Sequence, residues 1–367
     1  MERRGAILLA ACALAGAILF YWLFSGKNRR AGEQQAAAPT ASAGPAPAPA
    51  ASGDPLLDRI DGLLAKLRHN GANAIDLAAL RRELLANPVA GIAAIRRFLA
   101  TGEDSATGQR FAVGPGGVLE GAPTLRIFLL DVLGQLSRPA GGGAGAAVAR
   151  EILAKKESPD EWAVALRNLA WDEPKALPFL AEKMHEMFAY EPWTATPTSG
   201  LLESFDVAVF SGDASFVPTL ADFARGGNTA LQRAATVALD RLAENSPLAV
   251  MTYLNANPGT IADLPFVRAD YFAKANLGNA EQRKAVEVYL DRADVDAAEK
   301  TKFLHAIASP GSFVSDSLLS TSLPPDNAAN RYTGIAAATA DWTRTNRFPA
   351  LGDHVRWLWQ RATEKVE

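Results

Sequence analysis

The chain has one cysteine and four histidines among 367 residues, and that poverty excludes much chemistry. Cys12 has no second thiol to pair with, so no intramolecular disulfide forms, and a large domain needs none. A structural zinc site built on thiolates falls with it. His69, His185, His305 and His354 stand far apart, and His185-Glu186 lacks the second histidine at helical spacing that a zinc peptidase needs. There is no GxGxxG, GxxxxGK[ST] or GxSxG run. Gly114-Pro115-Gly116-Gly117 is glycine-rich, but no lysine or serine follows it in phosphate-loop register. No cofactor, no metal and no catalytic residue are expected.

What is present begins with residues 5–24, 20 apolar residues without a charge, between Arg3-Arg4 and Lys27, Arg29 and Arg30. At about 1.5 Å per residue a helix of that length spans roughly 30 Å, the hydrocarbon thickness of a bilayer. Ala6, Leu9, Leu14, Ile18, Phe20, Trp22 and Phe24 are its expected lipid contacts, with Tyr21 and Trp22 suited to the interface. A retained single-pass anchor is the favoured reading. A cleaved leader and a lipoprotein acylated at Cys12, after Leu9-Ala10-Ala11, remain alternatives. Basic residues flank both ends, so orientation rests on the short N-terminal tail. The expected address is the inner (cytoplasmic) membrane of a bacterium, with the C-terminal domain on the extracytoplasmic side.

Residues 31–53 are almost all Ala, Pro, Gly, Ser, Thr and Gln and have no periodic face, so they read as a disordered linker. Its reach lies between roughly 25 Å as a coil and about 70 Å extended. Residues 1–30 hold five basic and one acidic residue, which leaves 32 basic against 39 acidic and a net charge of −7 for the rest. That sign argues against nucleic acid as a partner, because such binding rests on neutralising phosphates.

From residue 54 to 367 apolar residues recur at three and four, as in Leu56, Leu57, Ile60, Leu63, Leu64 and Leu67, which predicts an all-α domain. The one expected hairpin pairs 110–113 with Val118-Leu119 across the glycine-rich turn. Pro88, Pro123, Pro159, Pro174, Pro197, Pro247 and Pro258 mark helix starts, and Ser158 and Ser246 are candidate caps. Four helices share an apolar pattern ending at Leu133, Leu169, Phe205 and Leu242, at steps of 36, 36 and 37 residues. Each is followed by a second apolar helix, and a pair recurring at that interval points to a solenoid. An irregular helical bundle is the alternative.

The Arg233-Ala234-Ala235 to Leu239 and Leu242 pattern, with its shorter partner from Pro247 to Leu254, resembles the HEAT-like and armadillo-like helical-repeat proteins. The resemblance spans roughly 72–310, is interrupted at 101–122 and 192–197, and concerns architecture only. It implies neighbouring pairs that supply one another's core and an extended surface for a protein partner.

Function is therefore expected to be binding: a membrane-anchored, non-catalytic scaffold whose partner is a protein near the membrane. The insert 101–122 is the expected contact loop, with Arg110 and Phe111 as contact residues and Trp193 as a further binding candidate. Deleting 103–121 is expected to leave folding intact and to weaken partner capture. The alternative is an envelope enzyme acting on glycan through carboxylates among Glu186, Glu191, Asp206 and Asp213, beside Phe188, Tyr190 and Trp193. Trp162, Trp171, Trp342, Trp357 and Trp359 read as helix-face residues, the last two in a terminal capping helix.

Overall fold

The computed structural model describes residues 53–70, 74–140, 143–309, 317–320 and 328–366. The expected anchor at 5–24, its basic flanks and the linker as far as residue 52 lie outside the described residues. Among the described residues no helix is long and apolar enough to cross a membrane.

The described chain is helical nearly throughout. It runs α1 (Pro55–Asn70), α2 (Ala74–Ala86) and α3 (Pro88–Thr101), then a hairpin of β1 (Ala112–Val113) and β2 (Leu119–Gly121). There follow α4 (Leu125–Ala140), α5 (Ala144–Leu153), α6 (Pro159–Asp172), α7 (Leu177–Ala189) and the short α8 (Glu191–Ala195). The middle comprises α9 (Ser199–Ser211), α10 (Val217–Arg225), α11 (Thr229–Asn245) and α12 (Pro247–Ala256). The last part comprises α13 (Pro265–Phe272), α14 (Ala280–Asp291), α15 (Ala297–Ala306), α16 (Ala328–Arg344) and α17 (Gly352–Val366).

The helices form two layers. One is continuous: α4 packs on α6, α6 on α9, α9 on α11, α11 on α13, and α13 on α15. The other holds the shorter partners, with α5 lying against α6, α10 against α11, and α12 against α14. Leu133, Leu169, Phe205 and Leu242 are all buried, each on a helix of the first layer, so the 36–37-residue step is the distance from one first-layer helix to the next.

Local chemistry sets the ends of these helices. Ser158, Thr198, Asn228, Asn279 and Asp296 each accept a first-turn N–H, filling donors the helix itself leaves open. Pro88, Pro159 and Pro247 open α3, α6 and α12 as expected. Other expected starts shift. Pro174 and Pro258 lie in turns ahead of α7 and α13, and Pro123 and Pro197 each stand two residues before their helix. Ser246 makes no side-chain cap bond, so the proline alone fixes that start.

Two apolar clusters meet within this frame. The first gathers α1 to α4 and the hairpin; the second runs from α5 to α17. Helix α6 serves both, giving Ala163 and Val164 to one and Trp162, Leu166 and Leu169 to the other. Paired charges lock the first layer together. Arg126 on α4 reaches Glu161 on α6 at 2.7 and 3.1 Å, and Arg268 on α13 reaches Glu299 on α15 at 2.7 Å through both nitrogens. Such two-pronged bonds fix register as well as contributing energy.

A candidate protein-binding face

One face of the first layer carries buried charge and is covered by non-helical chain. Its N-terminal half is built on Asp131 of α4 and Arg167 of α6, both with fully buried side chains and 2.6 Å apart. A charge so placed is costly unless its bonding capacity is filled. Here it is. Asp131 also accepts from Arg81 on α2 (2.8 Å), Gln135 (2.8 Å) and the Leu119 N–H (3.0 Å). Arg167 gives its remaining donors to the Gly117 carbonyl (2.6 Å) and to Asn168 Oδ1 (2.8 Å), and lies over the Trp171 ring. Burial nonetheless pushes the Arg167 guanidinium below its ordinary pKa, against the pull of Asp131.

The hairpin is the lid of this half. Ala112 pairs with Gly121 and Val113 with Leu119, antiparallel, and Leu119 drops fully into the N-terminal cluster. Gly117 turns the chain at φ +79°, a left-handed value that suits glycine.

The C-terminal half repeats the scheme with a different cover. Asp206 of α9 and Arg241 of α11 stand 3.4 Å apart, both largely buried. The covering chain is 317–320. Leu319 and Ser320 donate their backbone N–H groups to Asp206 Oδ2 at 2.7 and 2.8 Å, and Arg241 donates to the Ser317 hydroxyl. Leu318 is fully buried in the N-terminal cluster, and Leu319 packs against both clusters. The two covers touch: a Cβ on Gly117 would lie 2.1 Å from the Leu318 carbonyl oxygen.

Beside Ser317 the face opens into a cavity of about 430 Å³ between α9 and α11, lined in part by Leu202, Glu203, Arg233 and Val237. Burial, with Asp206 close by, pushes the Glu203 carboxyl above the usual carboxylate range, against Arg241. Asp240 on the same helix as Arg241 is likewise raised by burial, although Lys274 approaches it at 3.0 Å.

The expected contact residues divide. Arg110 is exposed at the start of the hairpin. Phe111 is only 8% exposed and belongs to the N-terminal core, because the hairpin lies flat on α4 instead of projecting. Trp193 is also 8% exposed, held edge-on by Trp162 at 5.2 Å and Tyr190 at 5.0 Å, so it is a core aromatic and not a shelf for a ligand. The insert itself is structural as well as exposed. Removing 103–121 would take from Asp131 the Leu119 N–H and from Arg167 the Gly117 carbonyl, so the expectation that folding survives has these bonds against it. Trp357 and Trp359 both keep surface in α17, whereas Trp162 and Trp342 are core.

The carboxylates of the glycan-enzyme reading are occupied separately. Glu186 is paired with Lys183 at 2.6 Å, Asp213 caps the turn at Ser215, and Asp206 holds the 317–320 backbone. Glu191 lies exposed in the first turn of α8. Among the described residues no three His, Cys, Asp or Glu side chains gather as a metal site.

Sequence reasoning singled out none of Asp131, Arg167 and Arg241. A signal existed: Asp131 and Arg167 are 36 residues apart, each two before a repeat leucine, so a charge recurs in register with the apolar face. Nothing comparable marks 317–320. No protein-family model, curated protein or solved structure matches this chain.

Proposed function

We propose that the protein is a membrane-anchored, non-catalytic scaffold that binds a protein partner on this covered face of a HEAT-like helical-repeat domain. The observation that carries the reading is the seating of 317–320. There a bent, non-helical stretch is held by its own backbone on Asp206 and by one leucine in the core, a main-chain grip with one side-chain pocket that a partner's loop could also use. The partner would meet Arg110 at one end of the face and Arg233 near the other. The anchor is residues 5–24, argued from their length and apolarity. On this reading the domain works outside the cytoplasm at the inner membrane, and tethering raises its concentration for neighbours there.

A photo-crosslinking residue placed at Arg110 or Arg233, in the full chain in native membranes, should give one discrete protein adduct. The same residue at Val288, exposed on α14 in the other layer, should give none. Equal labelling from all three positions would contradict the reading. Deleting residues 1–30 should move the chain from the membrane to the soluble fraction.

A further inference from the structure

We infer that 317–320 is an exchangeable internal ligand, and that the face it covers takes in trans a bent segment centred on a leucine between small polar residues. The inference rests on the scaffold reading and names the partner chemistry of that same face.

The grip specifies little beyond this chemistry. Asp206 Oδ2 receives two successive backbone N–H groups, which the bend at 318–319 turns to one side and which a proline at either position would remove. Arg241 meets a side-chain hydroxyl at Ser317. Leu318 is recognised by shape, fully enclosed in the N-terminal cluster, and Leu319 packs half-buried against both clusters. At Ser320 the hydroxyl is buried with no partner among the described residues, so nothing there rewards serine over another small residue.

Its attachment also differs from that of the scaffold around it. The segment lies 113 and 114 residues along the chain from the carboxylate it bonds and 76 from the guanidinium, and it adds no helix to either layer. The cavity beside Ser317 continues the same face along α9 and α11, with Glu203 and Arg233 on its wall. A longer incoming segment therefore finds further surface of both charges at the point where the internal one begins. Displacement costs the domain the buried Leu318 and the bonds to Asp206 and Arg241, which an incoming segment of the same chemistry would replace in kind.

The probe is a fluorescent ten-residue peptide of the sequence 314–323, titrated into the full chain and into a Leu318→Ser variant that weakens the internal occupant. Competition by the internal segment predicts at least about tenfold tighter binding to the variant than to the parent chain. It also predicts loss of that binding on adding Asp206→Ala, or on replacing the leucine at 318 of the peptide by aspartate. A folded Leu318→Ser chain that does not bind, or equal affinity for parent and variant, overturns the inference. Should Leu318→Ser not fold, the parent chain decides. A photoreactive peptide at millimolar concentration should crosslink near Gly117 and Trp171, and absence of that adduct overturns it. Failure here would leave the position-specific adducts from Arg110 and Arg233 standing, whereas failure of those adducts would remove the scaffold reading itself.

Discussion

The two halves of the covered face solve one problem with different parts. In each, an aspartate on one first-layer helix meets an arginine on the next and accepts a backbone N–H from a covering leucine, Leu119 in one half and Leu319 in the other. In each, the arginine donates to an oxygen of the cover, Gly117 or Ser317. The sources differ. The hairpin comes from 12 residues before its aspartate and carries Phe111, Leu119 and Ala122 into the core, so it forms with the scaffold. The segment 317–320 arrives after α15 and contributes one fully buried leucine. The hairpin enters the core through three residues and 317–320 chiefly through Leu318, and that smaller burial is what makes the second cover the exchangeable one.

The comparison is sharpest where a single partner is removed. Asp131→Ala should have the largest effect, because Arg167 is left charged, fully buried and unable to reach water. A loss of about 3–5 kcal/mol in denaturant unfolding is expected. Replacing both partners, Asp131→Leu with Arg167→Met, should cost less than the single change. Asp206→Ala removes the matching group in the other half, yet Arg241 and the two N–H groups can regain water if 317–320 lifts. About 1–3 kcal/mol is expected there. Equal losses at the two aspartates would break the distinction.

Gly117→Ala strikes the contact between the covers. Its φ of +79° disfavours alanine, and the added Cβ would collide with the Leu318 carbonyl. A loss of about 1–2 kcal/mol is expected, with faster amide exchange at Leu319 and Ser320 as its signature.

The smallest effect concerns Glu203, whose carboxyl is raised by burial and by Asp206. A carboxyl whose folded pKa lies above its unfolded value favours the folded state when protonated. That contribution is lost as pH rises through the folded pKa. Glu203→Gln should therefore raise the melting temperature by about 1–2 °C at neutral pH and leave it unchanged near pH 4.

The helical architecture was legible because it is periodic. A 3.6-residue repeat of apolar positions survives in the sequence, and so does the 36-residue step between Leu133 and Leu169. The hairpin was legible through Gly114 to Gly117, although the depth to which Phe111 and Leu119 sink was not, since a short apolar strand reads alike whether it projects or lies flat. The charged centre was hidden for a different reason. Asp131 and Arg167 look like any solvent-facing helix residues until the hairpin is folded over them, and burial is a property of the cover. The seating of 317–320 depends on a contact across more than a hundred residues, which no local pattern encodes.

The most direct measurement is native-state amide exchange on the unmodified chain, comparing Leu119 with Leu319 and Ser320. If the second cover opens by itself, the latter two amides should exchange at least about 100-fold faster than Leu119, at a rate well above that of the α6 and α9 amides. Equal protection of all three, at the level of global unfolding, would mean that both covers are fixed parts of the core, and would contradict the account.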